Sequence, residues 1–224
     1  MNILKYKLKR KTEDGRSMIE MLGVLAIIGV LSVGGLIGYS KAMERHRVNE
    51  TINQINYVVQ NTRDLFRMQP NLYGSMSSEQ KYMYKTDYEN RQLADKAQLF
   101  PSVIVKDNYK NLFGGYIYFY ASGRYTKNDG KAFILGLTRI PQEACIEIIT
   151  RDWQSALGLV AVRAFGSAGA SGGSTILQAY TGKCTTSLSE GTALICGKDM
   201  PVSIEQAVTA CDMEKENNIF MKFY

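Results

Sequence analysis

The chain has 224 residues, with 27 Lys and Arg against 21 Asp and Glu, and a single His. Of its formal net charge of +6, residues 1–15 hold +3, and the +3 that remains is too mild to mark a nucleic-acid binder, with no basic stripe standing out. The length suits one domain of ordinary size with a real core, once the long apolar stretch near the N-terminus is set aside.

Residues 1–15 are short and basic, with Lys5, Lys7, Lys9, Arg10 and Lys11 ahead of Glu13-Asp14-Gly15. Arg16-Ser17-Met18-Ile19-Glu20 follows, and then Met21 to Ser40 runs for twenty residues without a formal charge. As one helix rising about 1.5 Å per residue, that run reaches about 30 Å, the thickness of a bilayer core, with the basic segment on the cytoplasmic side. Glu20 is the exception. A carboxylate in lipid costs on the order of 2.5–3.5 kcal/mol at a helix centre and less near an end, so it usually has a partner. One plain alternative is a secretory signal peptide cut near Gly34, Gly35 or Gly38, although such a core is usually about 7–15 residues long. Another is an uncleaved anchor in which Glu20 marks the membrane edge.

Gly15-Arg16-Ser17-Met18-Ile19-Glu20, behind a basic leader and ahead of a run that continues through Ile27-Ile28-Gly29, resembles the type IV prepilin signature. The resemblance implies that a prepilin peptidase cuts between Gly15 and Arg16 and that the new N-terminus is methylated. It also implies that Glu20, then the fifth residue, pairs with the N-terminal amine of a neighbouring subunit. Arg16 departs from the family, which usually begins with an apolar residue, and the family's frequent proline further along is absent.

The helix is expected to continue, giving one element over 16–67. Val48, Ile52, Ile55, Val59 and Phe66 recur at steps of three, four and seven, while Glu50, Asn53, Gln54, Gln60 and Asn61 fill the other side. Its second half therefore packs a stripe on a globular domain, and its first half needs lipid or copies of itself. Gly23, Gly29, Gly34, Gly35 and Gly38 suit close helix approach, or are ordinary glycines of a membrane helix.

Residues 68–115 read as a connecting region with a short helix at Ser78–Tyr88. Tyr82, Tyr84 and Tyr88 there are either half-buried or an adhesive, subunit-facing surface. From Tyr116 the period switches to two, and residues 116–224 read as the globular domain. Tyr116–Tyr120 and Ala132–Thr138 form a hairpin around the turn Asn128-Asp129-Gly130. Pro141 opens a helix at Gln142–Arg151, with Ala144, Cys145, Ile148 and Ile149 inward. Leu157–Phe165 is a strand and Gly166–Ser174 a surface loop with no phosphate-binding glycine pattern. Ser203–Cys211 is a short helix with Ser203 as cap and Gln206 three residues on, and Ile219–Tyr224 is a last alternating strand.

Cys145, Cys184, Cys196 and Cys211 all lie beyond the apolar run, and an even count there favours two disulfides and an oxidising compartment. Zinc is the rival, but there is no C-x-x-C pair and His46 is remote, so no metal or other cofactor is expected. Leu137-Thr138-Arg139-Ile140-Pro141-Gln142-Glu143-Ala144-Cys145, with Ala207-Val208-Thr209-Ala210-Cys211 before a terminal strand, is similar to the C-terminal half of type IVb pilins. That similarity implies a Cys145–Cys211 bridge, which leaves Cys184 with Cys196, and an α+β fold: a long helix on an antiparallel, disulfide-bonded sheet.

No catalytic grouping emerges. His46 is flanked by Arg45 and Arg47, and G-x-S-x-G, H-E-x-x-H and paired-carboxylate patterns are missing. The expectation is therefore a structural subunit of a type IVb-like pilus. It would be held in the inner membrane as a precursor and then assembled into an extracellular filament that can serve cell adhesion. Its partners would be copies of itself, the prepilin peptidase, the inner-membrane assembly machinery and the membrane. A type II secretion pseudopilin or minor pilin shares this chemistry; a membrane-anchored periplasmic binding domain is the alternative from another class.

Overall fold

The computed structural model describes residues 18–68, 82–83, 97–106, 108–121, 133–166, 185–189, 191–212 and 216–223. The expected leader, Gly15 and Arg16, Tyr84 and Tyr88, the turn at Asn128-Asp129-Gly130, the loop after Gly166 and Cys184 lie outside them. Two compact units are distinguished, Met1–Met43 and Glu44–Tyr224.

Helix α1 runs Met18–Met68. In the second unit it presents Val48, Ile52, Ile55, Val58 and Val59 to the core, as their spacing requires. Gln54, which the period places on the polar side, is buried, together with Thr51 and Thr62. The reason is angular: the docked face is centred on the row 51, 55, 58 and 62, so it is wider than the apolar stripe alone. The Thr62 hydroxyl donates to the Val58 carbonyl at 2.6 Å, the one local solution a helix offers a buried threonine.

The segment expected to be only connecting contributes structure of its own. Tyr82–Met83, expected to be helical, is a short strand, β1, and Ser102–Lys106 is a short helix, α2. Leu99, Phe100, Ile104 and Tyr109 join the core. Asn111 organises the chain that follows. Its amide nitrogen donates to the Thr138 carbonyl at 2.7 Å, and its side-chain oxygen accepts from the N–H groups of Phe113 and Gly115. Gly115 has no substitute here, because a Cβ would overlap the Thr138 carbonyl.

Next come β2 (Ile117–Ala121), β3 (Phe133–Ile140), α3 (Gln142–Ile149), α4 (Trp153–Leu157), β4 (Leu159–Gly166), β5 (Ser187–Ser189), β6 (Thr192–Cys196), a 3₁₀ turn (Gly197–Asp199), α5 (Ile204–Ala210) and β7 (Asn217–Phe223). The described strands form one antiparallel sheet in the order β1-β2-β3-β7-β4-β6-β5. The fold is thus α+β, with α1 and an antiparallel sheet, and β2 and β3 pair as the alternating pattern predicts.

The expected helix Gln142–Arg151 stops at Ile149. Thr150 folds its hydroxyl back onto the Ile146 carbonyl, and Asp152 caps the next helix by accepting from the Ser155 N–H at 3.0 Å. That hydrogen bond holds the Asp152 carboxyl below the ordinary aspartate range. The strand expected from Leu157 starts only at Leu159, since Leu157 ends α4 and Gly158, at φ 64°, closes that helix in the left-handed region. α5 forms the expected capping box: the Ser203 Oγ accepts from the Gln206 N–H, and the Gln206 side chain accepts from the Ser203 N–H.

One sheet face carries the main core. There Phe119, Phe133 and Phe223 stack across β2, β3 and β7 with ring centroids 5.5 Å apart, and Ala144, Cys145, Ile148 and Ile149 of α3 are buried as expected. The other face buries a smaller cluster, Ile134, Ala161, Phe165 and Phe220. Gly136 sits between Tyr118 and Phe220 in the strand register, and the two rings stack at 6.5 Å.

Cys145 on α3 is bridged to Cys211 at the end of α5, with Cα atoms 6.1 Å apart, as the resemblance implies. Gln142 reinforces the junction by donating to the Cys211 carbonyl. Cys196 is also disulfide-bonded.

Two stability predictions follow from this packing. A Cβ on Gly136 would lie 2.5 Å from the buried Phe220 ring, so Gly136→Ala is expected to cost about 1–3 kcal/mol in urea unfolding. An unchanged midpoint would show that the ring is not held there. Replacing Cys145 and Cys211 together by Ala opens a loop of sequence separation 66 and is expected to remove about 4 kcal/mol on the chain-entropy account. Loss of less than about 1 kcal/mol would show that the bridge adds nothing the core does not already supply.

Candidate functional site

From Met18 to Tyr39, α1 exposes its large apolar side chains all round, at 52–86 % of their full area. A soluble domain does not leave a surface of this kind bare. The helix is also long and apolar enough to cross a membrane, by length and composition. Its glycines sharpen the point. A Cβ built on Gly23, Gly29, Gly34, Gly35 or Gly38 meets no atom within 4 Å. Each costs up to about 1 kcal/mol in helix propensity, and none is offset by a close contact among the described residues.

Glu20 stands in the first turn of this helix, exposed, between Met18, Ile19, Met21 and Leu22. A carboxylate there complements the partial positive charge of the helix N-terminus, which is a sufficient local reason for its stability in water. It has no ion-pair partner among the described residues. Gly15 and Arg16, the other residues of the expected site, lie outside the described residues.

The remaining candidates disperse. His46, Arg45 and Arg47 are all exposed on α1. Among the described residues no cluster of His, Cys, Asp and Glu has the arrangement of a metal site. A packing crevice too narrow for a water runs between α1 and the sheet, lined by Thr51, Gln54, Ile55, Val58, Ile104, Ile117, Leu135 and Leu137, none of them titratable. The Thr51 hydroxyl and the Gln54 side-chain oxygen are buried there without a hydrogen-bond partner among the described residues.

Sequence reasoning passed over the charges on the smaller sheet face. Arg163 lies with its guanidinium 5.4 Å from the Phe165 ring centroid, and burial pushes its pKa down from the ordinary arginine value. Lys222, in the last strand, is fully buried. The available signal was a single cation inside each apolar run, Leu159–Gly166 and Asn217–Phe223.

No protein-family model matches this chain, and no curated protein matches it.

Proposed function

We propose that this protein is a filament subunit of the type IV pilin kind, in which α1 from Met18 to Tyr39 serves first as membrane anchor and then as the filament core. One observation carries the proposal: a continuous helix whose first part is uncharged and exposed on every side, apart from a lone carboxylate at its start. Such a rod has two stable environments, lipid or a bundle of identical helices. The five glycines with open surroundings favour the bundle, since they let neighbouring helices approach closely.

Glu20 then sets register. In a water-poor bundle a carboxylate without a countercharge is destabilising, and a paired one is tolerated. The chain supplies its own countercharge if the leader is cut after Gly15, because the freed amine of Arg16 then comes four residues before Glu20 in sequence. The globular unit, stabilised by its disulfides, forms the outside. Assembly, rather than catalysis, is the activity assigned to the chain.

Two outcomes test this. Intact mass of the mature protein is expected to show an N-terminus at Arg16, and Glu20→Ala is expected to keep membrane insertion and processing while sheared surface filament, measured beside membrane-bound monomer, falls steeply. Normal filament yield from Glu20→Ala, or a cut beyond Gly34, would overturn the proposal. Separately, a fragment beginning at Arg45 is expected to be soluble and monomeric with a sharp near-UV spectrum, because the second unit begins at Glu44 and holds the whole buried stripe of α1. Aggregation of that fragment would show that the apolar half of the helix is needed for folding.

A further inference from the structure

The described strands hold three charged side chains, Arg139, Arg163 and Lys222, and no carboxylate. Arg139 is paired with Glu216. The other two belong to the smaller sheet face and differ in access: Lys222 is fully buried, while Arg163 is only partly covered. Arg163 makes no hydrogen bond or ion pair among the described residues, and its Nε is shut off from solvent without an acceptor. The Phe165 ring beside the guanidinium offsets part of the lost hydration but supplies no countercharge.

Strand register shows what lies next to it. Arg163 is opposite Phe220 on β7 and Leu194 on β6, and Leu194 is opposite Ser187 on β5. Directly opposed residues share a face, so Phe220, Arg163, Leu194 and Ser187 form one row across the sheet. The row grades from closed to open: Phe220 is buried, Arg163 and Leu194 are partly covered, and Ser187 is exposed. From Arg163 to Ser187 it spans about 10 Å at the usual strand spacing. The charged groups at the strand ends are turned elsewhere. Asp199 accepts from the Thr186 hydroxyl, and Lys198 is exposed in the 3₁₀ turn beyond Cys196. Asp212 lies against Gly166, which alternation along β4 puts on the opposite face from Arg163.

We propose that Arg163 recognises the carboxylate of a small ligand whose apolar body lies on Leu194 and whose far end reaches Ser187. The chemistry selects this class. A planar guanidinium matches a carboxylate through paired N–H···O bonds, here from its Nη groups, because Nε is closed to solvent. The row offers one cation and otherwise apolar walls, so it balances one negative charge and would leave a phosphate dianion half-neutralised beside Leu194. Binding a carboxylate gives the guanidinium the countercharge that its partly desolvated position lacks. This recognition does not depend on the filament reading.

The test uses the full chain in a non-ionic detergent, titrated with sodium butyrate and read by NMR at the Leu194 methyl and Arg163 Nε–H signals. Butyrate is expected to shift both signals saturably. Acetate, which lacks the apolar body, and butyramide, which lacks the charge, are each expected to bind about tenfold more weakly or worse. Inorganic phosphate is expected not to displace butyrate. Arg163→Gln is expected to remove the saturable shift at Leu194, Arg163→Lys to weaken it, and Leu194→Ser to erase the preference for butyrate over acetate at Arg163. An equal response to butyramide, displacement by phosphate, an unchanged midpoint in Arg163→Gln, or no saturable response at all would overturn the proposal. If Arg163→Gln fails to fold, the comparison of butyrate with butyramide on the unaltered chain and the Arg163→Lys midpoint decide it.

Discussion

Two different demands for burial are written into a single helix. From Met18 to Tyr39, α1 is apolar on every side and exposed, while from Val48 to Thr62 it buries one face completely. No single environment satisfies both. Water suits neither the first part nor the inner face of the second, and a lipid or bundle interior would reject the Glu50, Asn53 and Gln60 side of the second part. The helix therefore imposes a division of labour. The globular unit completes its own core with the later turns, while the early turns remain exposed.

The globular unit is closed by its last strand. β7 lies between β3 and β4, so both of its edges are hydrogen-bonded, and most of its residues are buried. β7 alone joins the β1-β2-β3 group to the β4-β6-β5 group, through pairings that are long-range in sequence and therefore slow to form. Asn217 marks the entry. It is fully buried, it accepts from the Asp212 N–H at 2.8 Å, and its amide nitrogen reaches the carbonyls of Ile140 and Asp212. With the Cys145–Cys211 bridge a few residues upstream, both the covalent and the hydrogen-bonded ties converge where the chain turns into the central strand. An oxidising compartment suits such a fold, since the bridge cuts the entropy of the open chain that competes with late closure.

The second sheet face shows how charge is accommodated in this core. Arg163 stands on Phe165, Phe165 stacks on Phe220 at 5.7 Å, and Phe220 stacks on Tyr118, making a continuous aromatic row over β4, β7 and β2. Gly136 makes the row possible by leaving room for the Phe220 ring. A cation over an aromatic face keeps part of the stabilisation it had in water, which is why Arg163 is tolerated in a half-buried position.

Local signals were enough for much of this. The uncharged run from Met21 to Ser40, the stripe at Val48, Ile52, Ile55 and Val59, the inward face of α3 and the capping box at Ser203 were all legible, because each depends on residues within a few positions of one another. Glu20 at the start of the apolar run was legible for the same reason. Strand order, by contrast, was decided only in three dimensions. Nothing near Ile219 says that the last strand is central, that Lys222 is buried, or that Gly136 and Phe220 share a space. The burial of Thr51 and Gln54 was hidden for the same reason. Periodicity reports which side of an element is apolar, but how wide a face is buried, and which edges remain bare, depends on the partners that only the folded chain brings together.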